Sequence, residues 1–342
     1  MRAFITGLAG TELTDQEGAF LRDAQPWGFI LFGRNVAGPA QLRRLVEDAR
    51  ATLGRPAPAL IDQEGGRVQR LGPPHWPLYP PGAAYGALYD RDRDMGLAAA
   101  RLGARLIAED LAALGIEIDC LPIADLLVAG ADPVVGDRAY GTEPAKVAAI
   151  AGSIAQGLEE GCVRPVLKHI PGHGRATADS HARLPVVNTD RAVLEATDFA
   201  AFRLLAALPI AMTAHVVFTA IDPIAPATIS AIIVRDVIRD SIGYRGLLMS
   251  DDISMGALSG SVGERTRAAI AAGCDMVLHC NGQMPEMLAV AAEAPRLAGE
   301  AAQRADAALP AKKKAVPIDL AAGRAEFRRL MTGIWQPVQG YA

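Results

Sequence analysis

The stretch GCVRPVLKHIPGHGRATADSH, residues 161–181, begins as a strand and breaks off on chemistry. Its apolar run over Arg164–Leu167 stops on Lys168-His169, and Pro171, Gly172 and Gly174 then open a loop. Ala/Leu-rich stretches with helical spacing lie on either side, at Pro144–Glu160 and Asp190–Ala206. The same unit recurs outward along the chain. Short apolar runs read as strands at Ala3–Leu8, Gly28–Phe32, Ala57–Ile61, Gly115–Leu121, Pro209–Thr213, Gly246–Ser250 and Asp275–His279. Helical patterns fill most gaps, among them Pro39–Leu53, Met95–Leu114 and Ile229–Ser241. Strand and helix alternating about eight times is the pattern of a parallel sheet closed by right-handed crossovers. No long Pro/Gly/Ser linker divides the chain. A single α/β domain, a (β/α)8 barrel over residues 1–310, is therefore expected, with allowance for irregular or missing first strands. A doubly wound open sheet is the alternative, because periodicity does not count strands. Residues 311–342 read as a basic turn, a helix near Leu320–Met331 and a loose end, packed outside the barrel.

Five apolar runs end on ionisable residues: Asp62, Lys168-His169, His215, Asp251-Asp252 and His279. In a barrel such positions ring the C-terminal mouth, where catalytic residues gather. A strand that simply ends in polar residues explains one such site better than five.

Composition narrows the function. The 342 residues are 51% hydrophobic and 21% charged, as in a folded globule. A net charge of -4 leaves no global basic footprint for nucleic acid or an anionic membrane, Lys312-Lys313-Lys314 being the one local patch. No apolar run approaches the roughly 18 residues that span a bilayer. The N-terminus turns polar at Thr11-Glu12, too soon for a secretory signal. A soluble cytoplasmic protein is expected, and without coiled-coil heptads or repeats, a monomer. Cys120, Cys162, Cys274 and Cys280 form no Cys-x-x-Cys pair and read as buried free thiols.

Three segments carry candidate chemistry. In IDQEGGRVQRL, residues 61–71, Asp62 follows a strand, Gly65-Gly66 allows a sharp turn, and Arg67 and Arg70 come after. A carboxylate at a barrel mouth accepts hydrogen bonds from sugar hydroxyls, and an arginine fixes a hydroxyl or carboxylate. Asp62 and Glu64 would repel a phosphate. The bland reading is a surface turn with an Arg–Glu pair. In residues 168–181 three of the six histidines invite a zinc site. Pro171 and Gly172, however, prevent the helical i, i+4 geometry, and no Gly-Lys-Ser/Thr follows for a P-loop. What remains is a Gly-rich loop bearing Asp179-Ser180-His181. An aspartate beside a histidine holds the imidazole in place, and histidine exchanges protons near neutral pH. Without further context, a surface loop with an idle histidine is the favoured explanation.

LLMSDDISMGAL, residues 247–258, ends a strand on Asp251-Asp252. A carboxylate so placed can attack a carbon bearing a leaving group. Adjacent carboxylates also suit Mg²⁺, which keeps metal-dependent phosphoryl transfer open. Strand alternation implies that only one of the two faces the mouth. Arg138 in GDRAYG and His215 in TAHVVF are each more often structural when taken alone.

Together DQEGGRVQR at 62–70, GDRAYG at 136–141, KHIPGHG at 168–174, DSH at 179–181 and SDDISM at 250–255 resemble, in order and spacing, the family 3 glycoside hydrolases, in particular their bacterial β-N-acetylhexosaminidase branch. The likeness spans about residues 3–300. It implies a retaining exo-hydrolase that takes terminal β-linked N-acetylglucosamine from peptidoglycan fragments through a covalent glycosyl-enzyme, with no cofactor or metal. It also implies Asp251 as nucleophile, His181 as acid/base oriented by Asp179, and Asp62, Arg70, Arg138, Lys168 and His169 as sugar-binding residues. The histidine departs from the usual pair of carboxylates in retaining enzymes. On a Gly-rich loop it can swing in after substrate binds.

Other readings stand beside this one. A phosphorylase or β-glucosidase of the same family would keep the residues and change the acceptor or sugar. A metal-dependent barrel hydrolase would use Asp62, His169 and Asp251, and a non-enzymatic sugar binder would use the pocket alone.

Overall fold

A computed structural model describes residues 1–309 and 315–336. The basic turn at Lys312–Lys314 and the expected loose end beyond residue 336 lie outside the described residues. Eight parallel strands close a barrel in sequence order: β1 Arg2–Gly7, β2 Pro26–Leu31, β3 Ala59–Ile61, β4 Ile118–Asp119, β5 Arg164–Ile170, β6 Ile210–Thr213, β7 Leu247–Asp252 and β8 Met276–His279. The ring shuts where β1 pairs with β8, Phe4 opposite Val277. An open sheet is thereby excluded.

The first three strands are all present, contrary to the allowance for missing ones, and β4 is the short one. The expected strand Gly115–Leu121 contracts to two residues. Pro122 has no N–H to give the ladder, although the Leu121 and Pro122 carbonyls still accept from Val166 and Lys168 of β5 at 2.9 and 3.0 Å.

Helices cover every crossover. Pro39–Leu53 and Pro144–Glu160 match the sequence pattern. Leu42, Leu45, Val46, Ala49 and Leu53 recur at helical spacing and are buried, which gives the first of these its core face. Three differences arise elsewhere. The helix expected from Met95 begins at Arg93 and is preceded by a further helix, Gly82–Arg91. The Asp190–Ala206 helix is broken at Thr197. The stretch expected as Ile229–Ser241 is a π-helix over Ile233–Ser241.

Strand alternation sorts side chains into two cores. Phe4, Leu167 and Leu248 face the helices, whereas Ile5, Val166, Leu247 and Met249 fill the barrel interior. The same period carries Lys168, two residues beyond Val166, and Asp251, two beyond Met249, toward the top of the interior. The last helix, Leu320–Leu330, is capped by Asp319 and packs Phe327 against Tyr79 and Tyr85. None of the helices described is long and apolar enough to cross a membrane. Among the described residues no disulfide forms. Cys120, Cys274 and Cys280 are buried as expected, but Cys162 is only half-buried.

Candidate active site

One cavity of about 270 Å³ opens at the C-terminal mouth of the barrel, and its wall includes Asp62, Arg70, Arg138, Lys168, His169, Asp179, His181 and Asp251. All eight site residues expected from sequence thus converge, although they come from four separate segments.

Its floor is a chain of alternating charge. Arg70 donates to Asp62 at 3.1 Å, and Lys168 Nζ lies 3.0 Å from the other Asp62 oxygen. The same Nζ is 2.6 Å from Glu64 Oε1, and Arg138 grips Glu64 through two hydrogen bonds of 2.8 and 2.9 Å. Burial alone would raise both carboxyls. Lys168 and Arg70 outweigh it at Asp62, holding that carboxyl far below its ordinary range. Arg138 and Lys168 do the same at Glu64, whose pKa falls to about 2. Lys168 is raised in turn, its burial outweighed by Asp62 and Glu64. Such buried charges persist because each is paired and hydrogen-bonded. Gly65 makes the turn after Glu64 with φ +96°, and a side chain there would meet the Pro80 carbonyl.

His169 donates from Nδ1 toward the buried Asp125 carboxylate at 2.6 Å, which leaves Nε2 as its outward edge. Asp125 also accepts the backbone N–H of His173 at 2.6 Å. Burial and the neighbouring His169 lower His173 to a pKa of about 4, so its ring is neutral at pH 7. His173 Nε2 in turn bonds Ser180 Oγ at 3.1 Å, between Asp179 and His181.

Asp179 Oδ1 accepts both the backbone N–H of His181, at 2.9 Å, and its Nδ1, at 2.7 Å. A carboxylate only accepts, so Nδ1 carries a proton and Nε2 is the edge that exchanges one. Despite some burial, those bonds hold Asp179 below its usual value. His181 is 69% exposed, at the cavity's rim. Its loop docks on the turn after β7: Gly256 N–H donates to the His181 carbonyl at 3.2 Å and Ala257 N–H to that of Ser180 at 3.1 Å. The Asp179–His181 pair is thereby fastened to the segment that follows Asp251.

Asp251 Oδ1 accepts the Asp252 N–H at 2.7 Å. Burial opposes ionisation, but His215, His169, that N–H and Lys168 together keep the carboxyl below its ordinary value. Asp251 is therefore held as an anion on the cavity wall. Asp252 lines the cavity as well, against the expectation that only one of the two would. The register shifts between Met249 and Asp252, which breaks simple alternation. Its carboxylate is taken up by Ser254 N–H and Oγ at 3.0 and 2.7 Å and by Cys280 N–H at 3.1 Å.

Sequence reasoning missed Glu64, Asp125, His173 and Ser180 as parts of the site. Asp125 carried a signal, a lone acid inside the apolar stretch Leu121–Val128, since a buried acid requires partners. Among the described residues no group of three or more His, Cys, Asp or Glu is placed to hold a metal ion. Asp62 is taken up by Lys168 and Arg70, and His169 Nδ1 by Asp125.

Comparison with known proteins places the chain in a family. Residues 7–309 match the glycosyl hydrolase family 3 N terminal domain. The chain is 41% identical over 279 residues to a beta-hexosaminidase of Alkalilimnicola ehrlichii, covering 80% of this chain and 79% of that one. A beta-hexosaminidase of Thiobacillus denitrificans is 35% identical over 312 residues, 90% and 83% of the two chains. The crystal structure of NagZ from Neisseria gonorrhoeae in complex with N-trifluoroacetyl-D-glucosamine superposes with a TM-score of 0.86 at 31% identity, covering 97% of this chain and 98% of that one. A closed eight-stranded barrel, a cavity at its mouth and a family match over most of the length lead to one assignment: the chain belongs to glycosyl hydrolase family 3.

Proposed function

We propose that this chain, a glycosidase of the β-N-acetylhexosaminidase type, removes terminal non-reducing β-linked N-acetylglucosamine with retention of configuration. The observation that carries the reading is an ionised Asp251 and an Asp179–His181 pair on the wall of one cavity. In the first step Asp251 attacks the anomeric carbon while His181 gives its Nε2 proton to the departing oxygen. The sugar is left as an ester of Asp251. In the second step neutral His181 takes a proton from water, which attacks the same carbon and frees Asp251. Asp62, Arg70, Arg138, Lys168 and His169 hold the ring, the carboxylate accepting from its hydroxyls and the cations donating to them. A similar protein holding N-trifluoroacetyl-D-glucosamine supports an acetamido sugar.

The same reading takes the natural substrate to be a muropeptide, cleaved by a monomer in the cytoplasm. Residues 1–310 would be the catalytic unit and 311–342 an extension packed on it. The test compares an aryl N-acetyl-β-glucosaminide with the matching β-glucoside, in phosphate-free buffer with chelator. Strong preference for the acetamido sugar is expected. Equal or reversed rates would move the substrate to plain glucosides, and turnover only after adding phosphate or metal would overturn the hydrolytic, metal-free mechanism.

A further inference from the structure

Below Asp251 lies a ring of buried polar side chains that the mechanism above does not use. Thr213 ends β6, His215 follows it, and Thr228 sits in the turn Ala227–Ile229; all three are fully buried. His215 Nε2 is 2.9 Å from the Asp252 carbonyl oxygen, which can only accept, so Nε2 carries a proton. Thr228 Oγ1 lies 2.7 Å from His215 Nδ1, 2.8 Å from Thr213 Oγ1 and 3.1 Å from the Ala214 carbonyl. It has one proton. Spent on the Ala214 carbonyl or on His215 Nδ1, that proton leaves Thr213 as the donor to Thr228. The lone pairs of Thr213 then receive the Asp251 N–H at 3.3 Å.

The ring thus grips the strand on both sides of one peptide, by the N–H of Asp251 and the C=O of Asp252. The N–H of that same peptide, on Asp252, is the one bonded to Asp251 Oδ1. Main-chain position therefore sets where the carboxylate points. We propose that Thr213, Thr228 and His215 are positioning residues that lock the peptide 251–252 and so aim the Asp251 carboxylate at the anomeric carbon. None of the three reaches the cavity.

The proposal rests on Asp251 being the nucleophile, so the experiment separates the two claims. Thr228→Val keeps the shape of the side chain and removes the hydroxyl that joins the ring. On an aryl N-acetyl-β-glucosaminide it should lower kcat about 10- to 100-fold, the scale of a misplaced reacting group, with KM nearly unchanged. Thr228→Ser should restore most of the rate. The second arm uses Asp251→Gly with azide, which enters the vacated space and bonds to the anomeric carbon as the aryloxide leaves. Because no carboxylate remains to be aimed, adding Thr228→Val there should cause no further loss.

Wild-type kcat in Thr228→Val would overturn the proposal alone, as would an equal fractional loss in the azide-rescued background. An Asp251→Gly protein that forms no α-glycosyl azide would overturn the nucleophile reading and the proposal together. Should Thr228→Val fail to fold, Thr213→Val removes the acceptor of the Asp251 N–H together with the bond to Thr228, and it carries the same expectations.

Discussion

Asp251 and His181 divide the chemistry unequally, and substrates of different leaving-group acidity expose the division. Asp251→Ala removes the bond-forming group and is expected to abolish turnover of every substrate. His181→Ala should hurt natural disaccharides far more than aryl glycosides, because an acidic phenol leaves without a proton. Equal loss on both would sink the proton-donor role. Glu64 gives a different kind of prediction. Its carboxyl falls from the ordinary 4.5 to about 2 through Arg138 and Lys168, against its own burial. A carboxyl depressed in the folded state contributes stability that is complete above the unfolded value and drains away as the pH falls toward the folded one. Wild-type stability should therefore drop between about pH 4.5 and 2, as followed by urea unfolding. Glu64→Gln should lose stability at pH 7 and show a shallower acid slope. An identical slope in the variant would mean that the ion-pair chain does not govern the acid limb.

At the scale of elements, the loop from His173 to His181 depends on contacts that no local pattern announces. A side chain at Gly174 would run into the Leu126 carbonyl, so the loop passes against the segment after β4 only because that position is bare. Ser180 then ties the acid/base pair to neutral His173. Ser180→Ala removes that bond, worth about 1 kcal/mol net. It should lower kcat/KM on the disaccharide about fivefold, while the aryl substrate, less dependent on His181, changes less. An unchanged disaccharide rate would show that the backbone bonds to Gly256 and Ala257 hold the loop by themselves. The barrel strands were legible because each is a short apolar run bounded by breakers, and the ends at Asp62, Lys168 and Asp251 were legible because an apolar run stopped on a charge. Glu64 and Ser180 were not, since their meaning comes from Arg138 and His173, one distant in sequence and both joined to them only by folding. Asp252 misled for a related reason: a register shift, invisible in the sequence, returned it to the cavity wall.

For the molecule as a whole, the helix Leu320–Leu330 reaches the active-site side through the ring of Phe327. Phe327 lies against Tyr79 and Tyr85, with ring centroids 6.3 and 6.4 Å away. Tyr79 in turn brackets the loop that carries Asp62: its carbonyl accepts from Gly66 at 2.9 Å, and its N–H donates to Gln69 at 3.0 Å. An ion pair supplements this contact. Arg324 meets Asp110 at 2.9 Å, and the Tyr79 hydroxyl donates to the same carboxylate at 2.7 Å. The two ties should differ in strength. Phe327→Ala empties a buried ring site and should cost about 3–5 kcal/mol in denaturant unfolding. Arg324→Ala removes a partly exposed cation whose pair is worth under about 1 kcal/mol. Asp110 still accepts from the Tyr79 hydroxyl in that variant. Both variants should fold, with the unfolding midpoint falling much further for Phe327→Ala. Equal losses would mean that the helix is held by charge, and that the contact to Tyr79 does not carry its stability to the Asp62 loop.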